Sequence, residues 1–252
     1  MPVRRTRRLV AAAVSAGLIG LVVVGCSEGG TPVAAAVAVV PAEHADVLAR
    51  LPAAADGTKI VVGDAKAPHT VTVYVDPRCS YCARFEASAG TVLAEEAAAG
   101  RVKVEYVVAS FLDARTGGTA SARAASALRA SVDAGPGKFA SFQTALFASQ
   151  PGGEASQPGG EASQPGGESE DGFSADYLLR IADQVEGLRS AAFDRAVRED
   201  TYRRWVVEAE KAFEDSGVGG TPTVLVDGTA LPGGDALYDA TEFSKALRDA
   251  GV

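Results

Sequence analysis

Cysteine, histidine and methionine are scarce in this sequence of 252 residues, and their scarcity excludes several classes of protein. The residues of these three types are Cys26, Cys79, Cys82, His44, His69 and Met1. A scaffold held by several disulfides is excluded, because three cysteines form at most one bridge. A structural zinc site needs four ligands, and the sequence has no second cysteine pair to complete one. Copper delivery is disfavoured, since Met1 is the only source of a thioether ligand.

Positive charge is also sparse once the N-terminus is set aside. The whole chain has a formal charge of −8, and four arginines lie within the first eight residues. Removal of residues 1–25 as an export signal changes the charge to −12 and leaves no cluster of lysine or arginine. Nucleic-acid binding relies on such clusters to neutralise phosphates. We therefore expect no nucleic-acid partner, and we interpret the acidic surface as favouring solubility.

The N-terminus has the pattern of a bacterial export signal. Its arginines precede an apolar run over residues 9–24, which is shorter than the roughly 20 residues that span a bilayer. Export is therefore favoured over a retained transmembrane anchor, and a loose twin-arginine match at Thr6-Arg7-Arg8 leaves the export route open. The run ends in Val23-Val24-Gly25-Cys26, which resembles a lipobox, the alternative being a chance cysteine. We predict lipidation of Cys26 and anchoring to the extracytoplasmic face of the cell membrane.

Two segments are predicted to lie outside the hydrophobic core of the protein. Residues 26–56 combine small residues with prolines, and we interpret them as a tether with a short helix over 43–51. Residues 148–168 hold three tandem copies of Ala-Ser-Gln-Pro-Gly-Gly-Glu. No copy has a large apolar side chain, so we predict a disordered surface loop over 148–169 instead of a coiled coil. A partner-binding segment is the alternative.

The remaining sequence predicts an α/β fold. Strand patterns occur at 59–62, 71–75, 102–108, 224–226 and 229–231. A helical pattern links the second and third of these and ends near Gly100, which predicts a βαβ unit with a parallel strand pair. From about 117 to 216 the patterns are helical. The clearest apolar stripe there, which we interpret as core packing, is Tyr202, Trp205, Val206, Ala209 and Phe213.

The C-terminal part carries two local signatures. Asp227-Gly228 between strand patterns predicts a type I′ hairpin. Asp239, with Glu242 three residues on, predicts a capped start for the last helix.

The chemistry is predicted to lie in Cys79-Ser80-Tyr81-Cys82, where a strand passes into a helix. Unpaired N–H groups at a helix start favour negative charge, which lowers the pKa of a cysteine there. Cys79 is thus the predicted nucleophile. Cys82, one turn further on the same face, resolves the mixed disulfide without a cofactor. An inert structural disulfide is the alternative, although so short a loop constrains the unfolded chain little.

These features together resemble the DsbA-like proteins of the thioredoxin fold. The resemblance covers about residues 57–250 and rests on Gly63-Asp-Ala-Lys-Ala-Pro68, on Cys79-x-x-Cys82-x-x-Phe85-Glu86, on the helical insertion and on Thr221-Pro222 before a late strand. It implies a thioredoxin-like α/β domain over 57–252, with a helical subdomain inserted between the βαβ half and the ββα half. It also implies that Pro222 is a cis-proline facing the active site and that the Thr221 backbone pairs with substrate.

Two positions depart from the pattern of the best-known members. The dipeptide between the cysteines is Ser80-Tyr81, without a histidine, so a cation that stabilises the thiolate is missing. The position six residues before Cys79, often acidic in related proteins, is Val73. The nearest acids are Asp76, which can also be a strand terminator, and Glu86. We therefore expect a couple less oxidising than that of the histidine-containing members.

The resemblance implies an extracytoplasmic thiol–disulfide oxidoreductase that forms or exchanges disulfides in exported proteins. Its expected partners are cysteine-containing exported proteins, a membrane redox partner and, through Cys26, the lipid bilayer. Two alternatives stay open: a membrane-anchored reductase that supplies electrons outside the cytoplasm, and a non-catalytic binding lipoprotein on the same fold.

Overall fold

The computed structural model describes residues 44–150 and 172–252. The predicted export signal, Cys26, most of the tether and most of the repeat lie outside these residues, so those interpretations stay predictions. None of the helices in the described ranges is both long enough and apolar enough to cross a bilayer.

A mixed sheet of six strands organises the described part of the chain, in the order β1-β2-β4-β3-β5-β6. The strands are β1 (Ala53–Asp56), β2 (Lys59–Val62), β3 (His69–Val75), β4 (Val102–Val108), β5 (Thr223–Val226) and β6 (Thr229–Ala230). Strands β3 and β4 run parallel, and the other pairings are antiparallel. The parallel pair confirms the predicted βαβ unit.

Strand β3 lies in the interior of the sheet, which explains its apolar, β-branched sequence. Val71, Val73 and Val75 are almost completely buried, and Tyr74 between them is nearly so. In a strand that is covered on both faces, apolar and polar side chains do not alternate, because both sets are buried. Because β4 and β5 flank β3, the segment that follows Val75 emerges near the middle of the sheet.

The helix that follows β3 is present but irregular. It consists of α2 (Ser80–Phe85), a π-helical turn (Glu86–Gly90) and α3 (Thr91–Ala98). Phe85 is fully buried and packs edge-on against Phe243, with ring centroids 5.7 Å apart. This contact fixes the active-site helix against the C-terminal helix.

The inserted helical subdomain begins earlier than predicted. Its helices are α4 (Phe111–Thr116), α5 (Ala120–Val132), α6 (Lys138–Ala148), α7 (Ala175–Ala182), α8 (Ala191–Arg198) and α9 (Arg203–Asp215). The short helices α4 and α8 are not among the sequence predictions, although Phe193 and Val197 of α8 lie four residues apart and are both buried. Helix α5 contacts α6, α8 and α9. Its buried face is rich in alanine and serine, which lets these neighbours approach closely.

The apolar stripe of α9 is only partly core. Val206, Ala209 and Phe213 are buried, as predicted. Tyr202 and Trp205 are half-buried at the margin of the core, and the Trp205 indole N–H donates to the Gly57 carbonyl (2.8 Å). The polar edge of the indole therefore anchors the β1–β2 turn.

The folded domain also begins earlier than residue 57. Leu48, in α1 (Ala45–Leu48), and Leu51 are buried in the main core. Ala53–Asp56, placed in the tether by the sequence, pairs with β2 as the edge strand β1. Three alanines and an aspartate have little intrinsic preference for a strand, so only the pairing with β2 reveals this one.

The C-terminal signatures are confirmed. Asp227 and Gly228 both have positive φ values (47° and 82°), as a type I′ turn requires. Asp239 Oδ1 accepts hydrogen bonds from the N–H groups of Thr241 and Glu242, both at 2.9 Å. This cap starts α10 (Ala240–Asp249), which contacts the active-site helix at α3 and the π-helical turn.

Candidate active site

Cys79 is the N-cap residue of the active-site helix. Its φ and ψ of −72° and 113° are extended, and its carbonyl accepts the first helical hydrogen bonds, from Cys82 N (2.9 Å) and Ala83 N (3.2 Å). Cys79 N–H in turn donates to the Asp76 carbonyl (3.0 Å). The cysteine thus lies where a tight turn after β3 passes into the helix, as the sequence predicts.

The two cysteines are not equivalent. Cys79 keeps 9% of its surface exposed, whereas Cys82 is completely buried. A hydrogen bond from the Cys82 thiol lowers the pKa of Cys79 to about 6, with further help from the Thr221 side chain and the N–H groups of Cys82 and Tyr81. Burial raises the pKa of Cys82 well above its ordinary value, and the charge of Cys79 adds to this effect. At neutral pH the pair therefore holds one thiolate, on the more accessible sulfur.

Thr221 and Pro222 lie opposite the cysteine pair. The Thr221–Pro222 peptide bond is cis. The Cys79 thiol, when protonated, donates to the Thr221 carbonyl at 3.4 Å. Residues 142 positions apart in the sequence are thereby brought into contact, because β5 pairs with β3 and carries the cis-proline to the end of the sheet where Cys79 lies.

Asp76 is a buried acid directly below the cysteine turn. It has no exposed surface. Its Oδ1 accepts from Arg78 N (2.9 Å) and Ser121 Oγ (2.7 Å), and its Oδ2 accepts from Leu112 N (3.1 Å). Burial raises the pKa of Asp76 to about 7, although these hydrogen bonds oppose the change. Asp76 therefore does more than end the strand: it joins the turn before Cys79 to α4 and α5.

Glu86, predicted as a neighbour of the thiols, is instead buried one helical turn beyond Cys82. It accepts hydrogen bonds from Gln143 Nε2 (3.1 Å) and Thr144 Oγ1 (2.8 Å) of α6. Burial raises the pKa of this carboxyl. Gly90 is needed beside it, because a Cβ there would lie 2.9 Å from Glu86 Cδ. The hydrogen-bond partners of Glu86 are thus in the helical subdomain.

Two tyrosine rings and an arginine side chain lie close together beside the cysteine pair. Ser80 and Tyr81 are exposed, and Tyr81 lies 6.0 Å from the ring of Tyr238. The Arg84 guanidinium stands over both rings, 4.5 Å from Tyr238 and 5.9 Å from Tyr81. Burial, and then the charges of Cys79 and Cys82, raise the pKa of Tyr238. Sequence reasoning missed Tyr238 and Arg84, because neither residue belongs to a recognisable motif.

These features allow thiol–disulfide exchange without a further reactive group. A thiolate is available at neutral pH to attack a disulfide, a second thiol can resolve the mixed disulfide that forms, and the cis-proline segment leaves backbone groups beside the pair. Within residues 44–150 and 172–252 no three His, Cys, Asp or Glu side chains are grouped so that they could hold a metal ion.

A C-x-x-C pair at the start of the helix after a central parallel strand, faced by a cis-proline, defines the thioredoxin-fold class. In agreement, the family model described as thioredoxin matches residues 55–249. The chain therefore belongs to the thioredoxin family. No curated protein matches it by sequence.

Solved structures of similar fold are DsbA-like. MdbA, a thiol-disulfide oxidoreductase from Corynebacterium matruchotii, is 21% identical with a TM-score of 0.57, over 75% of this chain and 92% of that one. MdbA from Actinomyces oris is 21% identical with a TM-score of 0.60, over 77% and 86%. Reduced DsbA from Mycobacterium tuberculosis is 22% identical with a TM-score of 0.57, over 78% and 94%. At these identities the likeness supports the fold, including the helical subdomain predicted from the sequence.

Proposed function

We propose that this protein is an extracytoplasmic thiol–disulfide oxidoreductase that forms or exchanges disulfides in exported proteins through Cys79 and Cys82. The observation that carries the proposal is the difference between the two sulfurs. Cys79 keeps a small exposed fraction and has a lowered pKa, and Cys82 is completely buried and has a raised pKa. An inert structural disulfide has no need of such a difference, whereas an exchange reaction does.

The reaction balances within the two proteins. A substrate thiolate attacks Cys79 Sγ of the oxidised pair, so that the Cys79–Cys82 bond breaks and a mixed disulfide forms. A second substrate thiolate then attacks the substrate sulfur, and Cys79 leaves as a thiolate. The substrate loses two electrons, the protein gains them, and both protons released by the substrate can be taken up by Cys82 and solvent. The low pKa of Cys79 favours it as the leaving group.

Substrate contacts are proposed for the surface around Cys79. The Thr221 backbone lies next to the nucleophile and can pair with an extended peptide, as the family resemblance implies. Tyr81, half exposed between the cysteines, offers an aromatic surface beside it.

The site of action is part of the same proposal. The N-terminal sequence supports export and a lipid anchor at Cys26, which would hold the domain beside the membrane. The partners would then be exported cysteine-containing proteins and a membrane redox partner. A reductase that supplies electrons at the same place is the second candidate. The reduction potential of the Cys79–Cys82 pair decides in which direction electrons pass between it and the substrate.

Trapping tests the proposal. Cys82→Ser should accumulate mixed disulfides between Cys79 and exported proteins, because the resolving thiol is gone, whereas Cys79→Ser should accumulate few. The measurement is non-reducing electrophoresis followed by mass spectrometry of the cross-linked peptides. If neither variant traps a protein and the wild-type pair does not cycle between reduced and oxidised forms, the binding-lipoprotein alternative replaces this one.

A further inference from the structure

The C-terminal end of α6 is held firmly beside the active-site turn. Ser149, the residue after this helix, is buried, and its carbonyl accepts a hydrogen bond from the Tyr177 hydroxyl (2.6 Å). Its N–H donates to the carbonyls of Ala145 and Leu146, both at 3.1 Å. The backbone is therefore fixed up to the point at which Gln150 begins.

Gln150 contacts the residues that lead into the nucleophile. Its side-chain Nε2 donates to the Pro77 carbonyl (2.7 Å) and to the Cys79 carbonyl (3.0 Å). One amide group thus joins the two carbonyls on either side of Arg78. The distances are those of well-formed hydrogen bonds.

These contacts add to the hydrogen bonds that Asp76 makes with the same turn. Asp76 accepts the N–H groups of Arg78 and Cys79 from one side. Gln150 donates to the carbonyls of Pro77 and Cys79 from the other. The N–H groups of Tyr81 and Cys82 lower the pKa of Cys79, and their direction follows from the orientation of this turn. A loss of the Gln150 amide would let the turn relax away from that orientation.

Gln150 is also the third residue of the tandem repeat. The first copy of Ala-Ser-Gln-Pro-Gly-Gly-Glu begins at Ala148, and the same glutamine recurs as Gln157 and Gln164. Since the copies are identical, deletion of any one or two of them leaves a glutamine three residues after Phe147. A repeat that varies in length would therefore keep this contact as long as one copy remains.

We propose that Gln150 is a positioning residue for Cys79, and that the head of the repeat, Ala148-Ser149-Gln150, belongs to the active site while the number of further copies does not matter to it. The inference rests on the exchange reaction proposed above. It gives the first copy of the repeat a role that its composition, poor in apolar residues, does not suggest.

The test is the pH dependence of Cys79 alkylation in the reduced full-length protein. Gln150→Met keeps the length of the side chain and removes the donor. We expect it to raise the apparent pKa of Cys79 by about half a unit, the size that the loss of one net hydrogen bond produces. The alkylation rate at pH 5 should then fall about threefold.

Two controls isolate the contact from the repeat itself. Gln157→Met changes the same residue in the same local sequence, and deletion of residues 155–168 leaves a single copy. Both should alkylate as the unchanged protein does. Thermal unfolding of each variant separates a local change at Cys79 from a general loss of structure, because the latter would also make Cys82 reactive.

The outcomes are distinguishable. The inference is overturned if Gln150→Met leaves the apparent pKa of Cys79 unchanged. It is also overturned if Gln157→Met raises that pKa as much as Gln150→Met does. If Cys79 of the unchanged protein titrates like an ordinary cysteine, the proposed function loses its basis instead.

Discussion

Two buried acids, Asp76 before the cysteine pair and Glu86 after it, have different hydrogen-bond partners. Asp76 accepts N–H groups from the turn before Cys79 and from α4. At the π-helical turn, Glu86 is held by two side chains of α6. The protonation state of Asp76 is thus connected to the backbone that orients Cys79, whereas Glu86 joins two elements of the fold. We infer that Asp76 affects the chemistry of Cys79 and that Glu86 stabilises the packing of the helix against α6.

The largest expected effect concerns Asp76. Its pKa is raised from 3.8 to about 7 in the folded protein. Between these values the folded state keeps a proton that the unfolded state has released, so stability falls as pH rises. The free energy of unfolding of the wild type, minus that of Asp76→Asn, should decrease from pH 4 to pH 7 by up to about 1.4 kcal/mol per pH unit.

Urea unfolding of both proteins at several pH values provides this measurement. Glu86→Gln is the matched change at the other buried acid. A difference between wild type and Asp76→Asn that stays constant with pH would show that Asp76 is ionised in the folded protein, and the comparison between the two acids would then fail.

A smaller effect is expected at the π-helical turn. In Gly90→Ala the added methyl group meets the Glu86 carboxyl and should displace it from Gln143 and Thr144. We expect a loss of about 1–3 kcal/mol in the free energy of unfolding, as for other overpacked cores. The pH dependence of Cys79 alkylation should stay unchanged, because the contacts of the cysteine turn are not altered.

Gly233→Ala is a suitable control for this substitution, since a Cβ there meets no atom within 4 Å. A Gly90→Ala protein of unchanged stability would mean that the carboxyl finds an equivalent position. A shift in the pH profile of Cys79 alkylation would mean that the π-helical turn and the cysteine turn are coupled.

The smallest effect is expected for the repeat. Deletion of two of its three copies should leave thermal stability nearly unchanged, because no copy supplies an apolar side chain to the core. Calorimetry of the full-length and one-copy proteins checks this. A loss of several kcal/mol would refute the interpretation of these copies as a surface loop.

Local sequence was enough to predict one side of the active site but not the other. Cys79 and Cys82 lie three residues apart at a strand–helix junction, so periodicity alone locates them. Thr221 reaches Cys79 only through the pairing of β5 with β3, and the family resemblance was needed to suggest it. Asp76 could be seen as a nearby acid, but its burial depends on Ser121 and Leu112, which approach from the helical subdomain.

Other features left no trace in the sequence pattern. The π-helical turn does not interrupt the apolar spacing of the active-site helix, and it begins at the buried Glu86 and ends at Gly90. Gln150 lies in a segment whose composition predicts no ordered structure. Its contact with Cys79 depends on where α6 ends, which is a property of the whole subdomain.

The reduction potential of the Cys79–Cys82 couple tests the account most directly, and equilibration with glutathione buffers measures it. The helix start and its hydrogen bonds stabilise the Cys79 thiolate, but Ser80 and Tyr81 supply no cation between the cysteines. We expect a value between about −120 mV, as in DsbA, and about −270 mV, as in thioredoxin, with oxidation or exchange as the favoured direction. A potential at or below that of thioredoxin would instead make the protein a reductase, and one as high as that of DsbA would contradict the account of what stabilises the thiolate.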